Sequence, residues 1–339
     1  MTASALRALL AADRVTHVPG VHDPVTAVLA VRAGNRAVHL SGAAVSATML
    51  GRPDLDFVHA TQIADRASTL VPALGGVPVL ADADTGYGNP VDAVWTALAY
   101  ARAGISGLLL DDRAHSRSDN RPHPAHGGRP VGKELITIGQ AAAKITTMAE
   151  QAPEMVVIAG TGAHPVRGLD ETILRCRAYA EAGADAVHPE GVETLEDLAR
   201  VRAALPGVPM VINRSEPSPG TSTVSDADLA RLGVRLVLHP VAALLAAMRA
   251  ASLAYRAIAD TGSAEPVDRM PWAAFTDLVE PEQEQEQHES PAPVPSPVIH
   301  PAVQPAPGPA AARPAPWIVD GRYTAEHRDA RYVPGNLQT

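Results

Sequence analysis

At 339 residues the chain has room for one large α/β domain or two smaller ones, and 46% hydrophobic residues are enough for a sizeable core. Aromatic residues are only 3%, so that core is packed from Ala, Val, Leu and Ile, and a net charge of −9 argues against a nucleic-acid or anionic-membrane partner. The single cysteine, Cys176, excludes an intrachain disulfide and any multi-cysteine zinc site. Lys133 and Lys144 are the only lysines, which leaves few candidates for Schiff-base chemistry. Residues 1–14 do not read as a signal peptide and no apolar stretch reads as long enough to span a bilayer. A cytoplasmic location and no membrane partner are the expectation.

From Val15 to Leu238, short apolar runs alternate with longer amphipathic segments. The expected strands are His17–Gly20, Ala37–Leu40, Val77–Asp82, Gly107–Leu110, Val156–Ala159, Ala186–His188, Met210–Ile212 and Leu236–His239, each bounded by Gly, Pro, Asp or Asn. Helical stretches lie between them, among them Val91–Arg102, Glu134–Glu150, Asp170–Ala182 and Leu195–Ala204. Strict alternation of strand and helix means βαβ units and a parallel sheet. Eight such units in somewhat over two hundred residues is the size of a (β/α)8 TIM barrel. An open doubly wound sheet is the runner-up, but no G-x-G-x-x-G follows the first strand. The barrel, over residues 1–262, is the favoured fold.

The stretch Asp82-Ala83-Asp84-Thr85-Gly86-Tyr87-Gly88-Asn89 stands out. Alternate residues of a strand share a face, so Asp82 and Asp84 point the same way at a strand end and suit a hard cation, Mg²⁺ or Mn²⁺. The plainer alternative is that one aspartate caps the next helix and the other is solvated. In a TIM barrel the chemistry sits at the C-terminal ends of the strands. Those ends also carry Ser41-Gly42, Asp111-Asp112, Thr161-Gly162, His188 with Glu190, Asn213-Arg214, and His239. Carboxylates from the adjacent third and fourth strands converge, which favours the metal.

Val241–Ala259 reads as a long Ala/Leu-rich helix, able to close the barrel or pack on another subunit. Residues 263–281 read as a linker. Residues 282–316 turn Glu/Gln-rich and then Pro/Ala-rich, a composition expected to stay disordered or extended. Residues 317–339 recover aromatics and charge, and are expected to dock as a lid or on a partner.

Four stretches together resemble the isocitrate lyase/phosphoenolpyruvate mutase superfamily, in its methylisocitrate lyase-like branch. They are Leu40–Val45 with Leu50–Asp54, the Asp82–Asn89 stretch, Ala103–Leu108 through Asp112, and Glu181–Asp185 through Glu190. The resemblance runs from about Leu6 to Tyr255. It implies an enzyme that forms or breaks a bond beside a carboxylate, with Mg²⁺ holding an enolate-like moiety. It implies Asp84 as the principal metal-side carboxylate, with Asp54, Asp82 and Asp111 around it, largely through water. Ser41, Gly42 and Ala43 are then expected to receive the substrate carboxylate, with Asn213 and Glu190 lining the same mouth. It also implies a homo-oligomer, dimer or tetramer, built by exchanging the last barrel helix.

The chain departs from that pattern in three places. Lyases of the family carry Lys-(Lys/Arg)-Cys-Gly-His after the fourth strand; here the region is Arg121-Pro122-His123-Pro124-Ala125-His126-Gly127-Gly128. Their Arg-Thr-Asp at the end of the fifth strand is Gly160-Thr161-Gly162, so a bidentate guanidinium is lost. Their Glu-Asp after the fourth strand is Asp111-Asp112. Arg129 and Arg214 are weak candidates to replace the arginine. Three functions follow. The first is a Mg²⁺-dependent C–C lyase on an altered 2-hydroxy or 2-keto carboxylic acid, with His126 or His123 as acid/base and Glu190 assisting. The second is an oxaloacetate-type decarboxylase or hydrolase. The third is a catalytically degenerate barrel kept as a scaffold.

Overall fold

The computed structural model describes residues 2–54, 57–114, 134–214 and 224–279, with the backbone of 125–126 and 129–130. Eight parallel strands close into a barrel: β1 (Thr16–Val21), β2 (Val38–Leu40), β3 (Val79–Asp82), β4 (Gly107–Leu110), β5 (Val156–Thr161), β6 (Ala186–Pro189), β7 (Met210–Asn213) and β8 (Val234–His239). They follow one another around the ring in chain order, and β1 closes on β8 with Val18 opposite Leu238. The expected TIM barrel is what forms. The antiparallel bridge pairing His126 with Arg129 stands apart from it, in the connection from β4 to β5.

Strand alternation divides the apolar residues into two layers. Val18, Leu80, Leu109, Ile158, Val211, Leu236 and Leu238 form one cluster with Leu6, Leu9 and Leu10 of the first helix, Thr2–Ala11. That helix plugs the N-terminal end of the barrel. Gly107 makes room for the plug, because a Cβ there would lie 2.6 Å from Leu6 Cδ2. The alternate strand residues, such as Ala81, Leu108 and Val157, pack outward against helices that contribute Tyr100, Ile145 and Met148. Leu6, Leu9 and Leu10 thus fill the N-terminal end of the barrel interior, while Asp82, Asp111 and Asn213 stand at or just past the C-terminal ends of its strands.

Two helix starts frame that mouth. Asn89 caps the helix Pro90–Arg102 and exchanges bonds with Asp92, and Pro90 supplies the preset backbone angle of the first turn. The helix expected from Glu134 begins instead at Ile138, capped by Thr137 with Gln140. Residues 134–136 are held in extended form by β4's continuation: Leu135 bridges Arg113, and the Ile136 amide donates to the Asp112 carbonyl over 2.9 Å.

The helix after β8 runs Ala242–Thr261, with Leu244 its one buried residue. Its 20 residues and window hydropathy of 1.3 reach the length and apolarity of a membrane span, a correction to the sequence expectation. The reason is that frequent alanines, interspersed with Leu, Met and Ile, outweigh Arg249 and Arg256 in the average. The stretch expected to be a linker carries a helix, Trp272–Val279, tied to the helix Pro24–Arg32 by an Arg32–Asp277 ion pair of 2.6 Å. Residues 282–316 and 317–339 lie outside the described residues.

Candidate active site

β3 delivers Asp82 and Asp84 differently. Asp82 is buried; its Oδ1 lies 2.9 Å from His39 Nε2 on β2, and its Oδ2 accepts from the Gly42 amide over 2.8 Å. Gly42 opens the helix Gly42–Leu50, so this carboxylate sits on a helix N-terminus where the helix dipole favours negative charge. One aspartate of the pair does cap a helix, although it is the helix after β2 and not the one after β3. Tyr100 holds the same strand end from outside by donating to the Asp82 carbonyl over 2.8 Å.

Asp84 lies past the strand with φ +42°, and Tyr87 follows at +59°. Non-glycine residues in this left-handed region are strained by roughly 1–2 kcal/mol each, less for aspartate. Gly86 and Gly88 complete the turn; a Cβ on Gly88 would lie 2.1 Å from Asp92 Oδ2, so the turn and the helix cap require each other. The turn is pinned on both sides. The Asp111 amide donates to the Asp84 carbonyl over 2.6 Å, and Lys144 Nζ donates to the Thr85 carbonyl over 2.7 Å. Burial of Lys144 pulls its pKa down.

At the end of β4 the side chains of Asp111, Asp112 and Arg113 part ways. Asp112 is buried and accepts from Thr161 Oγ1 (2.6 Å), the Gly162 amide (3.0 Å), Arg175 Nη1 (2.9 Å) and the Tyr179 hydroxyl (2.7 Å). It is a structural bolt between β4, β5 and the helix Leu169–Glu181. Asp111 Oδ2 lies 3.3 Å from Arg113 Nη2, and its buried Oδ1 has no hydrogen-bond partner among the described residues. Arg113 also ion-pairs with Glu190, past the end of β6. Arg113 went unnoticed in sequence, where the signal was its i+2 spacing from Asp111.

The remaining candidates lie at or beyond the ends of the other strands. Ser41 Oγ accepts from the Ala44 amide over 3.3 Å, so its side chain caps the helix; the Ala43 amide, between Gly42 and Ala44, takes part in neither bond. Ser46 Oγ donates to the carbonyls of Arg52 and Pro53 and thereby sets the approach to Asp54, which is half-buried. Asn213, ending β7, has a buried Oδ1 with no hydrogen-bond partner among the described residues. His188 is buried and its Nδ1 donates to the Val211 carbonyl over 2.8 Å, so its neutral form carries a lone pair on Nε2. His239 faces outward, since Leu238 faces in, and meets His17 at 3.0 Å. His123 and the side chain of His126 lie outside the described residues. Among the described residues, no three His, Cys, Asp or Glu side chains gather as a ready set of metal ligands.

The fold is a (β/α)8 barrel with carboxylates at the C-terminal ends of its strands, and comparison with known proteins names its family. The family model described as phosphoenolpyruvate phosphomutase matches residues 6–259. The chain is 33% identical over 284 residues to 2,3-dimethylmalate lyase of Eubacterium barkeri, covering 82% of this chain and 94% of that one. It is 34% identical over 261 residues to 2-methylisocitrate lyase of Bacillus subtilis (strain 168), covering 77% and 83%. It is 34% identical over 267 residues to oxaloacetate decarboxylase of Ectopseudomonas mendocina (strain ymp), covering 78% and 86%. Among solved structures, phosphonopyruvate hydrolase in complex with oxalate and Mg²⁺ superposes with a TM-score of 0.70 at 27% identity, covering 82% and 94%. The chain belongs to the PEP mutase/isocitrate lyase superfamily. Within it, the chain is an enzyme of the carbon–carbon lyase kind.

Proposed function

We propose that the protein is a Mg²⁺- or Mn²⁺-dependent lyase that cleaves a C–C bond in a 2-hydroxy or 2-keto carboxylic acid. The observation that carries this reading is the strained turn at Asp84, tied through its carbonyl to the Asp111 amide. Strain held in place by neighbours marks a functional position. The donor set fits a hard cation: Asp84 and Asp111 supply carboxylate oxygens, and Asp111 Oδ1 is buried without a hydrogen bond among the described residues. Asp84 and Asp111 are the residues to hold the ion, with Asp54 nearby and Asp82 setting the position of Gly42. When bound, such an ion supplies Lewis acidity toward the negative charge that develops on the 2-oxygen as the bond breaks.

The chain's own groups do the rest. The Ala43 amide, at a helix N-terminus, receives the substrate carboxylate beside Ser41 and Gly42. Asn213 Oδ1 accepts from a substrate hydroxyl. The chain has no cysteine near the β4–β5 connection, so the proton is handled by histidine: His123 or His126, with His188 Nε2 and Glu190 at the mouth. A decarboxylase reading is favoured by the similarity to oxaloacetate decarboxylase and by that same missing cysteine, since decarboxylation needs enolate stabilisation but no cysteine acid. The buried Cys176 accords with a cytoplasmic setting. Leu245, Met248, Tyr255 and Ile258 are exposed along Ala242–Thr261, which supports a homo-oligomer built on that helix.

Incubation with 2-methylisocitrate, 2,3-dimethylmalate and oxaloacetate in the presence of Mg²⁺, followed by NMR, tests the reading. Pyruvate from either branched acid supports the lyase; pyruvate and CO₂ from oxaloacetate alone support the decarboxylase. No turnover of any of them, together with no oxalate binding, counts against both.

A further inference from the structure

The most unusual group at the mouth is the Arg113 guanidinium. Its side chain is only 13% exposed, yet a single nitrogen, Nη2, serves both Asp111 and Glu190. Nε and Nη1 hydrogen-bond to none of the described residues, so three of the five N–H donors lack a protein acceptor there. Groups this enclosed are ordinarily satisfied, and the ligand that satisfies a guanidinium is an anion with paired oxygens.

The backbone beneath has been cleared for this side chain. A Cβ on Gly162 would lie 3.1 Å from Arg113 Nε and 3.6 Å from its Cγ. A Cβ on Gly160 would lie 2.8 Å from Asp111 Oδ1. The two glycines at the end of β5 therefore let the β4 residues Asp111 and Arg113 lean across, and Asp112 bolts that arrangement through Thr161 and the Gly162 amide. Arg113 also lines a cavity of about 610 Å³ with Thr85, Asn89 and Lys144, within the size range of small-molecule sites.

Resting on the lyase or decarboxylase reading, we infer that Arg113 determines specificity by pairing with the second carboxylate of a dicarboxylic acid, the one remote from the metal-side 2-oxygen. The guanidinium that binds it comes from β4 and reaches over β5, where the glycines stand. Glu190 and Asp111 hold the arginine in place by its Nη2 and leave Nε and Nη1 for the ligand.

Calorimetric titration in saturating Mg²⁺ separates the two ends of the ligand. Oxalate probes the metal side alone; malate adds a carboxylate carried beyond one methylene. The expected result is that Arg113→Gln weakens malate at least tenfold and leaves oxalate within about twofold, and that added guanidinium ion restores part of the malate affinity. Gly162→Ala keeps the charge but crowds Nε, and is expected to weaken malate selectively as well; thermal melting checks that each variant folds. Equal loss of both ligands, or no loss of either, in a folded variant overturns the inference. Wild-type binding of oxalate but not malate overturns it while leaving the lyase reading standing. Wild-type failure to bind either overturns the reading and the inference together.

Discussion

The Asp111 amide donates to the Asp84 carbonyl over 2.6 Å, so the ends of β3 and β4 are joined just where each leaves the barrel. That bond fixes a turn in which Asp84 holds φ +42°. Glycine adopts this conformation without the Cβ penalty, so in Asp84→Gly relief of the turn offsets, by up to about 1 kcal/mol, the loss of the side chain's own contacts, and the net change in stability is expected to be small. The same change is expected to abolish turnover. Denaturant unfolding paired with an activity assay checks the combination; a clear loss of stability would mean that the aspartate is a structural residue.

Asp112 is predicted to be a stability residue. It is 1% exposed and is the carboxylate opposite Arg175, itself nearly buried. Removing one member of a buried pair strands the other charge and costs about 3–5 kcal/mol. Urea unfolding of Asp112→Ala is expected to show a loss of that size, with Asp112→Asn milder because it retains part of the bonding to Thr161 and Gly162. A loss below about 1 kcal/mol would contradict the bolt described for β4 and β5.

The His17–His239 contact predicts a pH response away from the mouth. Burial, then His17 and Arg214, lower the His239 pKa below its ordinary 6.5, against a smaller opposing pull from Asp226. As pH falls through 6.5 the unfolded chain takes up this proton before the folded one does. The stabilisation is therefore complete above that pH and is lost as pH falls toward the folded value. Burial lowers His22 as well, and it adds to the same trend. Melting temperatures measured between roughly pH 7.5 and 5 are expected to fall, with a shallower slope for His239→Gln; an unchanged slope would remove His239 from the account.

Cys176 is fully buried on the helix Leu169–Glu181, and burial pushes its thiol pKa up. A thiol kept protonated and enclosed is a poor nucleophile. Iodoacetamide is expected neither to label the native protein nor to reduce its activity, and mass spectrometry reads both the site and the extent.

All eight strands were legible because each is a short apolar run closed by Gly, Pro, Asp or Asn, and the ring follows from their parallel order. Helix starts were less so. Glu134–Ile136 carries a helical composition, but pairing of Leu135 with Arg113 holds it extended, a contact between residues that sequence spacing does not reveal. At the site, the convergence of Asp84 and Asp111 follows from strand adjacency, whereas the division of labour between Asp82 and Asp84 does not. It depends on the Gly42 amide and His39 reaching Asp82 from a neighbouring strand. Arg113 was missed for a similar reason: its placement depends on space left by Gly162, 49 positions further along the chain, just after β5.

The central claim is a metal-side corner built on Asp84. Titration of oxalate into the wild-type protein with Mg²⁺ tests it most directly, set beside the same titration of Asp84→Ala. Binding that requires Mg²⁺ and falls at least a hundredfold in Asp84→Ala is the predicted result. Oxalate binding that is absent from the wild type, or is as tight in the variant, would contradict it.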